Sequence, residues 1–211
     1  MSDERYADAL MTTSDSAPLG RRERNKQQKL ARITEAAGEL FSRHGVDDVT
    51  TQQIADAADI GAGTLFLYAR SKAELLLLVQ NTHYAEAIER GLAASATAPS
   101  PLEAIMALVE PVVECNRRQI DNGRTYLREL VFGDPEEPHH RRGLELIQQV
   151  DDAYVEILRR DSRLTADDAV LLARTISATM FISLASPVHL HSTDEEVCAD
   201  IRAQVKVLLR D

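Results

Sequence analysis

The sequence predicts an all-α protein. Three observations carry that prediction. Apolar residues recur at helical spacing in one segment after another beyond residue 29, Ser/Thr-x-x-Glu/Gln sequences stand where helices would begin, and no stretch alternates apolar and polar residues between turn signals. Leu30, Ile33, Ala37, Leu40 and Phe41 mark a first helix from Lys29, closed by His44-Gly45. Thr50-Thr51-Gln52-Gln53 has the form of a capping box ahead of Ile54, Ala55 and Ala58, and opens a short second helix. Asp59-Ile60-Gly61 ends it, because Asp tolerates left-handed backbone and Gly is acceptable as an N-cap. A third short helix is expected from about Ala62 to Tyr68. Ser71-Lys72-Ala73-Glu74 is a second capping box, opening a long fourth helix from Lys72 onto Leu75 to Val79.

The rest of the chain continues in the same way. Leu102, Ile105, Val109, Val112, Val113 and Ile120 place a helix from Pro101 to Ile120, with a kink expected at Pro111. Gly123 and Gly133-Asp134-Pro135 bound a short helix with Tyr126, Leu127, Leu130 and Val131. Another helix is expected from Arg142 through Leu158. Ala166 to Ala185 is apolar nearly all round after Arg174, and Asp194 to Arg210 carries Val197, Ile201, Val205 and Leu208. No internal repeat is found.

At 211 residues, with 44% hydrophobic and 27% charged residues, the chain can bury a core without staples. Cys115 and Cys198 lie far apart, with no ligand spacing around them, which suggests a reducing cytoplasm. Residues 1–20 are acidic and rich in small residues, expected to be a disordered tail and not a secretory signal. The longest uncharged stretch, Thr175 to Thr193, is too polar to span a bilayer comfortably. A cytoplasmic protein is therefore expected.

The net charge of −10 argues, taken whole, against a nucleic-acid partner. It is unevenly distributed. Residues 20–75 carry nine bases against eight acids, and residues 21–32 alone hold six bases against one acid. Such a run can be a solvated helix start or a phosphate-binding arm, and its context must decide.

That context is a pair of short helices joined by a tight turn and braced by a helix on either side. This is a helix-turn-helix unit, whose physical use is to lay its second helix in a DNA major groove. The pattern Ile33-x-x-Ala36-Ala37-x-x-Leu40-Phe41-x-x-x-Gly45, then Thr50-Thr51-x-x-Ile54-Ala55-x-x-Ala58, Gly63-Thr64-Leu65-Phe66 and Ser71-Lys72-x-x-Leu75 resembles the N-terminal domain of the tetracycline-repressor (TetR) family of bacterial transcription regulators. The resemblance covers residues 29–76. It implies a three-helix DNA-binding domain, here residues 21–75, followed by a larger helical bundle for ligand binding and dimerisation, residues 76–211. Where the family usually has Gly-Val-Ser in the turn, this chain has Asp59-Ile60-Gly61. A frequent Tyr is Phe66, and the aromatic usual after Tyr68 is Ala69.

Phosphate contacts position such a domain and base contacts specify its site. Lys72, Tyr68, Thr50, Thr51 and the amides opening the second helix are assigned to phosphates. A cation is slightly unfavourable at a helix N-terminus, so Lys72 there favours an anionic partner. Ala62, Gly63, Thr64 and Leu67 would face the groove and meet thymine methyls or base-edge acceptors. Gln52 or Gln53, Arg70, and the arm residues Arg21, Arg22 and Arg24 in a minor groove would add specificity. Ile54, Ala55, Leu65 and Phe66 suit a small core better than DNA.

One helix-turn-helix reads few base pairs, so a dimer on a palindromic operator, with half-sites about one helical turn (~34 Å) apart, is expected. The resemblance places the dimer interface on Ala166 to Ala185 and Asp194 to Leu209. Ile176, Met180, Ile182 and Leu184 exceed one core-facing stripe, although a central core helix would look the same. The resemblance also implies a small-molecule effector pocket between Pro101 and Ala185. Its candidate residues are Asn116, Tyr126, Arg128, Glu129, Asp151, Tyr154, Met180 and His189, polar or adaptable groups on apolar faces.

A repressor of this kind needs no cofactor. Gly61-Ala62-Gly63 follows no strand and is no dinucleotide loop; His139-His140 and His189-x-His191 lack the helical spacing of a zinc site; no nucleophile-base set can be assembled. No enzyme, metal or membrane role is expected. The competing reading is a helical adaptor that has lost specific DNA reading.

Overall fold

The computed structural model describes residues 20–209, so the expected N-terminal tail lies almost wholly outside the described residues. These form α1 (Arg21–His44), α2 (Thr51–Ala57), α3 (Ala62–Leu65), α4 (Lys72–Ser95), α5 (Pro101–Arg117), α6 (Ile120–Phe132), α7 (Pro138–Leu158), α8 (Ala166–Ala185), a 3-10 turn at Pro187–His189, and α9 (Asp194–Leu208). Among the described residues there is no strand.

Local chemistry sets most helix starts. Thr50, Thr165 and Thr193 cap α2, α8 and α9 in complete capping boxes. Ser71 and Ser100 cap α4 and α5 through their hydroxyls. The box expected at Ser71 is half made, because the Glu74 carboxylate accepts from the Arg70 amide instead. The turn after α2 uses the left-handed backbone expected of Asp59, at φ 52°, and Gly61 is the extended N-cap of α3.

Several boundaries differ from expectation, among them the end of α5, which closes at Arg117 so that Ile120 opens α6. α1 starts at Arg21, so the basic run is helix and not an arm. α3 closes at Leu65, with Phe66 to Tyr68 in turns held by Leu67 N to Thr64 O and Tyr68 N to Leu65 O. α7 starts at Pro138, the first-turn position that a proline suits. Gly123 lies inside α6, where it is a close-approach residue and no breaker: a Cβ there would stand 2.1 Å from the Asn116 carbonyl oxygen. α5 runs unbroken through Pro111.

α1 to α3 and the start of α4 share a small core of Ile33, Ala37, Phe41, Val49, Ile54, Ala55, Leu65 and Leu75. Phe66, expected in that core, is 46% exposed. Ala69 is buried where the family favours an aromatic. α4 carries the chain into the larger bundle and packs most extensively on α5, the central helix, which also touches α6, α7, α8 and α9. Arg117, its side chain only 5% exposed, ties the end of α5 to Asp194 at 2.7 Å and to the His189 and Ser192 carbonyls. α8 is not central. It buries Ala169, Ala173, Ile176, Ser183 and Leu184 and leaves Leu171 and Ile182 (64%) exposed. This helix, rather than the Thr175 to Thr193 stretch, is long and apolar enough to cross a bilayer, although it belongs to the bundle.

Candidate nucleic-acid interface and effector cavity

The surface formed by α2, the turn and α3 is fixed from behind and open in front. Leu65 and Ile54 are fully buried beneath it, whereas Gly61, Gly63 and Leu67 project outward, Leu67 at 83% exposure. Thr64 and Ala62 are half-buried on the same segment. An exposed leucine beside small residues offers a shape for thymine methyls and no competing hydrogen bonds. Arg21, Arg22 and Arg24 are exposed on the first turns of α1. They stand on a rigid helix, so they would reach phosphate or a groove edge from the helix surface and not as a flexible strand.

Several other expected contacts already have protein partners. Lys72 Nζ donates to the Asp47 carbonyl at 2.9 Å, fastening α4 to the α1–α2 corner with ammonium protons to spare. The Thr50 hydroxyl is engaged in its cap with Gln53, Gln52 bonds Asp56 at 2.7 Å, and Thr51 is half-buried. Arg70 pairs with Glu137 at 2.9 Å, and the carbonyl of half-buried Tyr68 accepts from His139 Nε2.

A partly open apolar cavity of about 370 Å³ lies between α4, α5, α6, α7 and α8, with exposed Val131 and Ile182 among its lining residues. Leu127, Leu130, Leu146, Val150, Phe181 and Leu184 give it an apolar wall. Three hydroxyls line it, and each is engaged. Tyr84 accepts from Asn116 Nδ2 at 2.6 Å, Tyr126 donates to Asn81 Oδ1 at 2.9 Å, and Ser177 donates to Asp151. The Tyr84 and Tyr126 rings meet at 4.6 Å with a 32° tilt, and burial pushes both phenols far up, keeping them neutral. Burial also raises the Asp151 carboxyl, against the opposing Ser177 hydrogen bond.

The structure sorts the expected ligand residues. Tyr126 and Met180 line the cavity, and Asn116 stands behind it holding Tyr84. Asp151 lies in an outer groove between α7 and α8 and reaches the cavity only through Ser177. Tyr154 is wholly buried beside the cavity, its hydroxyl on Met180 sulfur. Arg128 is exposed and pairs with Glu129, because α6 turns that face to solvent. His189, in the turn before α9, pairs with Asp200 at 3.2 Å and lies away from the cavity. Sequence reasoning missed Tyr84, Ser177 and the fastening residues Asn81 and Asn122. Their signal was polarity inside otherwise apolar helix stripes.

Between the two parts of the molecule, α1 faces α4 and the α5–α6 corner across an open cleft of about 800 Å³. Asn122 closes one end, accepting from Val46 N at 2.7 Å and donating to Phe41 O at 2.9 Å. His83 in this cleft is held below the usual histidine range, chiefly by burial and then by the Arg118 charge.

Comparison with known proteins agrees with this architecture. Residues 33–79 match the profile of "Bacterial regulatory proteins, tetR family". The HTH-type transcriptional repressor KstR of Rhodococcus jostii is 23% identical over 97% of this chain and 92% of its own length. Thermus thermophilus FadR, a TetR-family transcriptional repressor solved with lauroyl-CoA, superposes with a TM-score of 0.66 at 25% identity over 85% of this chain and 93% of that one. A TetR transcriptional regulator from Rhodococcus sp. RHA1 gives 0.63 at 20% identity over 89% and 98%.

Proposed function

We propose that the chain, whose residues 33–79 match the tetR family of bacterial regulatory proteins, is a regulator of that kind and a dimeric repressor. It binds a palindromic operator through the exposed segment from Gly61 to Leu67, and a small molecule in the α4–α8 cavity changes its affinity for that operator. The carrying observation is the contrast within residues 21–75: a fully buried mini-core presenting an open, cation-flanked reading segment on an otherwise acidic chain.

The outer face of α8 supports the dimer. Leu171, Thr175, Ala178 and Ile182 lie exposed along one side of the helix, with Asp200 and Gln204 of α9 bordering it. An apolar face of this kind suits a second copy of the chain. The cavity lining supports an uncharged, apolar effector or effector moiety, because its wall carries no charged side chain and the Tyr126 and Ser177 hydroxyls donate within the fold. The lauroyl-CoA of Thermus FadR has such a moiety in its acyl chain. Ligand acts by preferring one arrangement of the dimer over the other.

The test is binding of the purified protein to labelled DNA from immediately upstream of its own gene, titrated in salt against random competitor. Competitor-resistant binding with a two-fold symmetric footprint is expected. Failure there and in genomic selection would leave the helical adaptor reading.

A further inference from the structure

We infer that the first turn of α7 is a bracket that fixes the reading segment according to the state of the cavity, with Asn81, Glu137 and His139 as its positioning residues. The inference rests on the proposal that the segment before Arg70 meets DNA and that the cavity takes the effector. A chain of hydrogen bonds joins the two. Tyr126, whose ring forms part of the cavity wall, donates to Asn81 Oδ1 at 2.9 Å. The other end of the same amide donates to the His139 carbonyl at 2.7 Å, and the His139 ring donates through Nε2 to the Tyr68 carbonyl at 2.9 Å. Two residues on, Arg70 is held by Glu137, the N-cap residue of α7, whose side chain is only 16% exposed. The turn that follows the reading segment, Tyr68 to Arg70, is thus held to α7 at two adjacent places.

Asn81 makes this chain responsive. It is buried and spends both ends of one rigid amide, the acceptor toward the cavity and a donor toward α7. If a cavity occupant tilts the Tyr126 ring or takes its hydroxyl proton, Asn81 keeps a buried acceptor without a donor. Turning the amide to repair that loss gives up the His139 carbonyl. The surroundings favour discrete positions over gradual yielding. A Cβ on Gly143 of α7 would stand 2.4 Å from Leu130, 3.1 Å from Asn81 Oδ1 and 3.4 Å from the Tyr126 hydroxyl, so the helices close tightly around the relay. Released from the bracket, Phe66 to Arg70 lose the pose that pre-organises them for DNA.

The decisive measurement is amide hydrogen exchange of Phe66 to Ala69 in the full-length, DNA-free protein, which needs neither operator nor ligand. Tyr126→Phe keeps the ring and removes the donor; His139→Leu removes the bracket donor; His139→Gln can still donate to Tyr68. Exchange of these amides is expected to rise about 3- to 30-fold in the first two variants. His139→Gln should keep wild-type protection, and Gln148→Ala, an exposed change elsewhere on α7, should leave it unchanged. No change in Tyr126→Phe while His139→Leu loosens the segment would overturn the relay, and so would a uniform rise along the whole chain. Operator affinity of the same variants should fall in parallel with the exchange result. If the wild-type protein selects no DNA site, the repressor reading fails while the exchange measurement still decides the relay.

Discussion

The helix-turn-helix segment and the helical bundle present their candidate contact residues differently. In the helix-turn-helix segment Gly63, Leu67 and the α1 arginines lie exposed around a buried mini-core of Ile33, Phe41, Ile54 and Leu65, and the polar residues Lys72, Gln52 and Arg70 have their protein partners at the surface. In the bundle, the polar residues expected to meet a ligand are mostly committed to the protein itself: Asn116 to Tyr84, Asp151 to Ser177, His189 to Asp200. The difference follows from desolvation. A polar group on a surface waits for its partner at little cost, whereas one inside a bundle must be satisfied in the fold or destabilise it. Polar residues on apolar stripes therefore mark helix fastenings before they mark ligand contacts.

The largest effect is expected where the bundle has no slack. Gly123→Ala would drive a methyl into the Asn116 carbonyl, and denaturant unfolding should show a loss of about 3 kcal/mol. A loss below about 1 kcal/mol would mean that the α5–α6 corner yields. Asn122→Ala leaves Val46 N buried without its acceptor and takes one of two donors from Phe41 O, which keeps the Gly45 amide, for an expected loss of about 1–3 kcal/mol concentrated at the α1–α6 contact. Hydrogen exchange of Val46 would report it. On the open side, Arg21→Ala with Arg22→Ala should leave the melting temperature unchanged and weaken operator binding about tenfold. The slope of log affinity against log salt should flatten by up to about 1.8, and an unchanged slope would remove both arginines from the interface.

Asp151→Asn tests the buried side again, with the opposite sign. Burial raises the Asp151 carboxyl, so its stabilising protonated form is complete below the unfolded value and lost as pH rises through the folded one. The variant should match wild type below about pH 4 and melt higher than wild type near neutrality, and equal melting at both pH values would mean that the carboxylate carries no desolvation cost. The smallest effect is expected at Gly63→Ala. A Cβ there meets nothing within 4 Å, so stability should rise by about 0.5 kcal/mol while operator preference shifts. Unaltered operator binding would argue that this face does not meet DNA.

Much of the reading domain was legible because its determinants are local. The Thr50 box, the left-handed Asp59 and the Gly61 cap are each set by neighbours within a few residues. The boundaries that differed depend on distant partners. Gly123 looked like a helix breaker until α5 was seen to pass against it, and Phe66 looked like core until α3 was seen to turn its face outward. Arg70 looked like a free cation because Glu137 lies far along the chain.

The sequence by itself determined the helical class, the order of the helices and the helix-turn-helix, because spacing, caps and turn residues act over one or two turns of chain. Only the tertiary structure decided which helix is central, where the cavity lies and which polar groups it spends on fastening. Those outcomes depend on which faces meet. Nothing in the local chemistry of Asn81 says that one end of its amide will hold a tyrosine in a cavity wall and the other a turn of α7.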